Sequence, residues 1–306
     1  MGRLYMSTTK ELLAAARQDK LDDLEGYGKG SELWKDTELL RALNNAQNEW
    51  ARRTLCLRDS STEAICKILL LANQYLYDMD SRIIAVHGGT LETGWPNVEP
   101  KDEIWMENNF FSWKTRMGDP RYLIADCEIG KLRVVPYFNT EGYYAGTMTF
   151  TDTTKKIELV GALFSTYLSV GDSVVISGTV SNNGTKTVVT ATTDYFTVSQ
   201  AVVLETVAAV VKKVRDNLWL SVSRLPLNQL TGVSVSETPE INFDYHSKLI
   251  HGILREAYDK RDSQTYDPQA AARHRALFEA EIARAKKEKY RLRHSTGVLR
   301  PHPGTI

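Results

Sequence analysis

The sequence predicts an α+β fold, with a helical bundle, a small antiparallel sheet and an inserted all-β barrel or sandwich domain. Three observations lead to this prediction. Apolar residues recur at helical spacing near both ends of the chain, alternating strand patterns lie between them, and one Thr- and Val-rich zone has its own composition. The chain has 306 residues, 42% of them hydrophobic and 25% charged, which is enough for about two packed domains.

An N-terminal helix pair forms the first part of the predicted bundle. Thr8 and Glu11 have the spacing of a capping box, in which a hydroxyl and a carboxylate satisfy free backbone N–H groups at a helix start. A second helix is predicted to begin with Asp36 as its N-cap, because aspartate accepts hydrogen bonds from the first turn. Its apolar face follows helical spacing and consists of Leu39, Leu43, Ala46 and Trp50.

The next part of the chain is predicted to supply the small sheet. Residues 64–79 and 82–92 are rich in β-branched and aromatic side chains, which favour strands. Residues 121–138 alternate on both sides of Ile129-Gly130 and therefore predict a hairpin that turns there. The stretch between these segments, 95–120, is predicted to be a long loop with one short element.

A separate β domain is predicted from about residue 143 to residue 216, inserted into a host domain at 1–142 and 217–294. Short strand patterns follow one another here at near-regular spacing, which is typical of a small barrel or sandwich. The flanking strands, LRVVPYF and NLWLSVSRLPL, are expected to be neighbours in one sheet. The turn SNNGT tolerates positive φ and supplies the predicted partner-binding residues of the insert, Asn182, Asn183 and Gly184.

A helical hairpin is predicted near the C-terminus. Its first helix carries an apolar stripe at 249–258, and its second begins with Asp267 as N-cap and Pro268 at the first helical position, where a missing N–H does no harm. An extended tail is predicted at 295–306. The residues expected to pack the hairpin and the assembly built from it are Leu254, Tyr258, Asp267, Pro268, Phe278 and Ile282.

Charge is balanced over the chain but not along it. The formal net charge is zero, so no overall field favours nucleic acid or a membrane surface. From residue 268 onwards, nine Lys or Arg residues face three Glu residues, which gives this end +6 and the remaining chain −6. Three interpretations stay open: a solvated helix face, a nucleic-acid arm with Tyr290 as its one interleaved aromatic residue, or a docking tail for an acidic protein surface.

No catalytic or cofactor motif is present in the sequence. Asp244, His246 and His251 come nearest to a site, but the two histidines lie about 140° apart round a helix and share no face. There is no phosphate-binding loop, no dinucleotide fingerprint, no nucleophile elbow and no CxxC pair. We therefore expect a protein that is not an enzyme, uses no metal or cofactor, and has neither a signal peptide nor a membrane span.

Three stretches carry a resemblance to a known family. LWKDTELLRALNNAQNEWARRT is followed by WKTRMGDPRYLIAD and GKLRVVPYF, and then by INFDYHSKLIHGILREAYDKRDSQTYDPQAAARHRALFEAEIARAK. In this order, a helix pair, a small sheet with Trp…Gly-x-Pro, and a helical hairpin that begins at Asp-Pro, they resemble the head-to-tail adaptor (connector) proteins of tailed bacteriophages. The resemblance covers about residues 8–140 and 217–294.

The resemblance implies a ring, usually of twelve subunits, beneath the portal protein in the virion. Such a ring closes the packaged head, continues the DNA channel with only passing contact to the genome, and offers a platform to tail or neck proteins. It would be assembled in the host cytoplasm, with no membrane involved. The family's C-terminal segment commonly reaches the portal, and the counterparts here are Lys289, Tyr290, Arg291, Arg293, His294, Val298, Leu299, Arg300, Pro301 and Pro303.

The β insert departs from the plain adaptor pattern. Displayed from a ring, it would hold a fibre, collar or capsid protein. Two other functions remain as alternatives. The chain would be another neck or tail completion protein, such as a stopper or tail-tube component, or a DNA-binding protein that uses the basic C-terminus.

Overall fold

The computed structural model describes residues 8–21, 33–94, 97–234, 236–261 and 264–294. Contacts divide the chain into a terminal unit, residues 1–58 and 223–306, and a central unit, residues 59–222. The helices are α1 (Thr9–Ala16), α2 (Asp36–Thr54), α3 (Glu63–Cys66), α4 (Glu103–Asn109), α5 (Phe164–Tyr167), α6 (His246–Tyr258) and α7 (Pro268–His294). The strands are β1 (Arg58–Asp59), β2 (Lys67–Leu71), β3 (Leu76–Asp78), β4 (Ile83–Leu91), β5 (Asn97–Pro100), β6 (Tyr122–Ala125), β7 (Lys131–Val135), β8 (Tyr143–Thr151), β9 (Lys156–Glu158), β10 (Ser173–Ser177), β11 (Gly184–Ala191), β12 (Tyr195–Val198) and β13 (Glu205–Arg224).

The first helix of the terminal unit begins as the sequence predicts. The Thr8 hydroxyl accepts from the Glu11 N–H at 3.2 Å, and the Glu11 carboxylate accepts from the Thr8 N–H at 3.0 Å, so the capping box is confirmed. The prediction of Asp36 as an N-cap is wrong. Lys35 occupies that position, and the Asp36 carboxylate instead accepts a hydrogen bond from Arg17 at 2.8 Å.

Helices α1, α2, α6 and α7 share one hydrophobic core. Trp50 of α2 lies at its centre, with ring centroids 5.8 Å from Phe278 and 5.2 Å from Tyr245. Gly252 lets α6 approach its neighbours closely, because an added Cβ atom would lie 2.4 Å from Cβ of Ala46. The apolar stripe predicted for α6 is confirmed by its buried members Leu249, Ile250, Ile253, Leu254 and Ala257.

The start of α7 also matches the prediction. The Asp267 carboxylate accepts hydrogen bonds from the backbone N–H groups of Gln269 and Ala270, both at 3.0 Å, and Pro268 is the first helical residue. The free N–H groups of the first turn thereby gain an acceptor, while proline contributes no N–H of its own.

One large mixed sheet dominates the central unit. Its strands follow the order β10-β11-β12-β9-β8-β13-β4-β5-β6-β7-β3, and β1 and β2 complete it by pairing with β13. The predicted hairpin is confirmed as β6 and β7, which pair antiparallel with Tyr122 opposite Val135 and Ala125 opposite Leu132. The stretch predicted as a long loop contains β5, α4 and a 3-10 turn at Trp113–Thr115.

The predicted fold class is wrong. A helical bundle with a small sheet does not describe a structure with a 13-stranded sheet. Among the described residues, strand (31%) is almost as abundant as helix (33%). The cause lies in β13, which continues as one strand through the charged stretch KKVRD, with a shift in its pairing to β2 between Val214 and Asp216. Lys212 bonds to the side chain of Gln74 at 2.8 Å, and Lys213 pairs with Asp172 at 2.6 Å. With partners for their charges, these residues continue the strand instead of ending it.

The expected pairing of the two flanking strands is also wrong. Strand β7 pairs with β6 and β3, whereas β13 pairs with β2, β4, β8 and β10. The 20-residue β13 crosses the predicted border at 216/217 without interruption. Residues of β8 to β12 and the first part of β13 nevertheless share a hydrophobic core of their own. The predicted limits of the insert, 143 and 216, stay a prediction.

Candidate protein interface

The exposed end of α7 carries a cluster of basic and aromatic side chains. Lys286, Lys287, Tyr290 and Arg291 together line a shallow pocket on the helix surface. Tyr290 is 64% exposed, so its ring is accessible to a partner. We call these four residues the α7 basic patch. Two of its members, Tyr290 and Arg291, also belong to the predicted docking tail.

Lys289, in the middle of this segment, is used within the chain. Its ammonium group donates to the carbonyl oxygen of Thr54 at 2.9 Å and to that of Leu55. These carbonyls belong to the C-terminus of α2, where a cation is electrostatically favourable. Burial lowers the pKa of Lys289. A residue predicted to dock another protein therefore fastens α7 to α2 in this structure.

The remaining tail residues are placed only in part. Arg291 is exposed on α7. Arg293 and His294 are the last residues of that helix, and their side chains lie outside the described residues, as do Val298, Leu299, Arg300, Pro301 and Pro303. Docking by the tail stays a prediction.

An ion-pair network holds α7 against its neighbours. Arg53 of α2 binds Glu279 of α7 and pairs with Glu49 at 2.9 Å, and Glu49 also accepts from Arg255 of α6 at 2.5 Å. The hydrogen bond from Arg53 lowers the pKa of Glu279. Burial acts to raise the pKa of Glu49, but its hydrogen bonds from Arg255 and Arg53 outweigh burial and lower it. Ion pairs therefore link α7 to α2, and α2 in turn to α6.

The six residues predicted to pack the hairpin and ring lie at internal positions or at the start of α7. Leu254, Phe278 and Ile282 are buried in the core of the terminal unit. Tyr258 stacks on His274 with ring centroids 5.8 Å apart, while Asp267 and Pro268 form the cap and first residue of α7. Within one subunit these residues pack the core or cap α7. Their role in packing between subunits stays a prediction.

The histidines considered for catalysis lie apart and make structural contacts. His246 Nε2 donates to the Ile241 carbonyl at 2.9 Å, since a carbonyl oxygen only accepts. His251 Nδ1 lies 3.1 Å from His274 Nδ1, a pairing that the sequence does not suggest. Throughout the described residues, no three His, Cys, Asp or Glu side chains come together as a metal-binding group. No described helix combines the length and apolar character of a membrane span.

The predicted binding turn of the insert is occupied by internal hydrogen bonds. Asn182 is 1% exposed and links two loops, because its amide donates to the Val203 carbonyl at 2.8 Å and accepts from the Val203 N–H at 2.8 Å. Asn183 bonds to Thr179 through both ends of its amide. Gly184 begins β11 with φ +117. Partner binding by this turn stays a prediction, and its two asparagines organise the loops from within.

A cavity that the sequence reading missed lies in the central unit. It has a volume of about 210 Å³ and an aromatic floor, in which the rings of Phe110 and Tyr122 lie 5.4 Å apart. The signal available in the sequence was the density of aromatic and basic residues between 101 and 122. The cavity is lined by Met106, Phe110, Trp113, Arg116, Met117, Gly118, Asp119, Arg121, Tyr122, Val135 and Pro136.

Comparison with known proteins places this architecture in context. A family model described as SU10 adaptor protein matches residues 7–301 of the chain, which includes nearly all of both units. No curated protein matches the chain significantly.

Proposed function

Because the chain belongs to the SU10 adaptor protein family, a family of phage adaptor proteins, we propose that it is the head-to-tail adaptor of a tailed phage virion. In this proposal it forms a ring beneath the portal protein, continues the DNA channel and offers a platform to tail or neck proteins. The role is structural and includes no catalytic step. The observation that carries the proposal is the family match over residues 7–301, which extends through α7 into the predicted docking tail.

The α7 basic patch supports contact with an acidic protein surface. Its three cations, Lys286, Lys287 and Arg291, are exposed and form no close ion pair with any described residue. At longer range Lys286 attracts the Glu279 carboxylate and Arg291 that of Glu288, which leaves their ammonium and guanidinium groups open to a partner. Tyr290 adds an aromatic ring of the kind enriched at binding hot spots. Since Lys289 and the Arg53 network fix the helix beneath, little ordering entropy is lost when this end binds. We propose the portal as the partner, with residues 295–306 extending the contact.

The central unit supplies a second proposed contact. The loops organised by Asn182 display Val180, Val203 and Leu204 to solvent, three large apolar side chains at one end of the insert's sheet. We propose that this end holds a fibre, collar or capsid protein. A stopper or tail-tube component remains the alternative of a neighbouring class, and it predicts contacts to tail proteins without direct contact to portal.

The test is the mass of complexes formed with the portal protein of the same phage. The full chain, mixed with purified portal, is expected to join it in one discrete ring-sized complex, measured by native mass spectrometry. A chain that ends at residue 294 is expected to lose this ability or bind far more weakly. Portal that stays free of the full chain at micromolar concentrations would overturn the proposal.

A charge-reversed pair sharpens the result. Lys286→Glu combined with Lys287→Glu is expected to weaken portal binding about tenfold or more, because like charges then face each other. Arg273→Glu combined with Arg275→Glu makes the same charge change on exposed positions at the other end of α7 and is expected to bind normally. The DNA-binding alternative is correct if the Lys286→Glu, Lys287→Glu variant keeps its affinity for portal but binds duplex DNA more weakly and with a smaller dependence on salt concentration.

A further inference from the structure

The cavity of the central unit has the composition of a protein-binding socket. Trp113, Tyr122, Phe110 and two methionines line it, and aromatic residues, methionine and arginine are enriched where proteins meet. Its wall is fixed by backbone hydrogen bonds, since the Gly118 N–H donates to Tyr137 at 2.9 Å and the Arg121 N–H donates to Val135 at 3.0 Å. The backbone of this wall is therefore held in place, and the cavity is already present in the single chain.

Two arginines at this socket have no carboxylate partner among the described residues. The Arg121 side chain makes no hydrogen bond or ion pair with any described residue. Arg116 lies over the Phe110 ring at 5.7 Å and pairs with no described carboxylate. Asp119 is the one acidic residue of the lining, so the socket keeps a surplus of positive charge. A guanidinium is suited to bind carboxylates through two parallel hydrogen bonds.

The turn between β6 and β7 has the complementary character. Ile129 is 98% exposed at its tip, and the carboxylates of Asp126 and Glu128 on either side form no ion pair within the described part of the chain. Three backbone hydrogen bonds make the turn rigid, each at 2.9 Å: Asp126 N–H to Lys131, Lys131 N–H to Glu128, and Met79 N–H to Gly130. We call residues 126–130 the acidic knob.

Knob and socket lie at opposite ends of one short hairpin. Tyr122 and Val135 close the socket end, whereas the turn lies past Ala125 and Leu132, about 10 Å further along the strands at ~3.3 Å per residue. The rigid turn therefore cannot fold back into the socket of its own chain. A second copy of this chain carries the same knob and can bring it to the socket.

We propose that the acidic knob of one copy enters the aromatic socket of a second copy. Ile129 would fill the cavity, whose volume of about 210 Å³ exceeds the ~150 Å³ of an apolar cavity that takes up benzene. Asp126 and Glu128 would meet Arg116 and Arg121 at the rim. Because each copy offers both halves, the contact is head-to-tail and repeats from copy to copy. That such a chain of contacts closes into a ring rests on the proposed function, whereas the contact itself does not.

Cross-linking of the full chain without portal tests the contact directly. One variant carries Ile129→Cys and a second carries Met117→Cys, both in a Cys127→Ser background that removes the neighbouring thiol. Mixed under mild oxidation at high protein concentration, the two are expected to give a disulfide-linked heterodimer. Each variant alone should give far less product. A control mixture with Val160→Cys, another highly exposed apolar site of the central unit, in place of Ile129→Cys should give none.

Charge exchange supplies a second, independent readout. Glu128→Arg and Arg121→Glu are each expected to weaken self-association about tenfold, measured by analytical ultracentrifugation, and the double variant is expected to restore it. Self-association unaffected by either single variant, or a mixed pair that fails to cross-link, would overturn the proposal. Portal binding is measured separately in the same samples. A positive cross-link with no portal binding would overturn the adaptor role alone, and the reverse result would overturn the knob contact alone.

Discussion

The ammonium nitrogen of Lys289 lies 2.9 Å from the carbonyl oxygen of Thr54, so a cation near the end of α7 caps the C-terminus of α2. Lys289→Met keeps the aliphatic stem and removes the donor. We expect this change to destabilise the protein by about 1 kcal/mol, because the lost charged hydrogen bonds are partly offset by the relieved burial of the ammonium group. Urea unfolding followed by circular dichroism measures it. Lys287→Met, on the exposed side of the same helix, should change stability little, and equal effects of the two would contradict the capping role.

Acid should loosen the terminal unit through its ion-pair network. Hydrogen bonds from Arg53 lower the pKa of Glu279, and those from Arg255 and Arg53 outweigh burial to lower the pKa of Glu49. A carboxyl whose pKa is lower in the folded state binds protons more readily when unfolded. Its stabilisation is therefore present above the ordinary value near 4.5 and is lost as pH falls through the lowered values.

The measurement is the midpoint of urea unfolding between pH 7 and pH 3. Arg53→Met should lower the free energy of unfolding at pH 7. On acidification, this variant should lose less further stability than the unchanged chain. Arg52→Met, at an exposed position of the same helix, serves as the control and should keep the full dependence. An identical pH profile for both variants would show that the network does not contribute.

Gly252 is expected to tolerate no side chain. Alanine is the better helix former by about 1 kcal/mol, but its Cβ atom would lie 2.4 Å from Cβ of Ala46 and 3.2 Å from the Phe278 ring. Overpacking should outweigh propensity, so Gly252→Ala should cost about 1–3 kcal/mol in the free energy of unfolding. Ser247→Ala, at an exposed position of α6, tests propensity alone and should be neutral or stabilising. A stabilised Gly252→Ala variant would mean that the helices are less closely packed than described.

Asn182 is expected to act on the insert's loops through their structure. Asn182→Ala removes the amide that bonds to both the N–H and the carbonyl of Val203 and leaves these groups without that partner. We expect a loss of about 1–3 kcal/mol in local stability. It would appear as faster amide hydrogen exchange in residues 178–183 and 201–205. Asn108→Ala, exposed on α4, should leave this exchange unchanged. Unaltered exchange in the Asn182 variant would return this residue to consideration as a direct partner contact.

Local signals in the sequence predicted much of the terminal unit. The spacing of Thr8 and Glu11, the Asp267-Pro268 start and the apolar stripe of α6 all have the structure they indicate, because capping and amphipathic periodicity depend on residues within a few positions. Asp36 shows the limit of such signals. It has the side chain of a typical N-cap, yet its carboxylate accepts a hydrogen bond from Arg17, which is distant in sequence.

The order of strands in the sheet could not be predicted from the sequence. The hairpin of β6 and β7 is local and was predicted, whereas the pairing of β13 with β2, β4, β8 and β10 joins residues far apart along the chain. Strand β13 continues through a charged stretch and past the border predicted at 216, with Gln74 and Asp172 beside Lys212 and Lys213. The sheet therefore exceeded the predicted size, and the predicted fold class failed there.

By itself, the sequence determined the starts of α1 and α7, the apolar face of α6, and the phage adaptor resemblance that the family match supports. Only the tertiary structure decided that Lys289 fastens two helices, that Asn182 is buried, and that an acidic knob and an aromatic socket occupy the two ends of one hairpin. The physical reason is the range of the interactions. Caps and helix faces arise from neighbours in the chain, while cavities, ion-pair networks and free charges depend on which distant side chains the fold brings together or leaves without a partner.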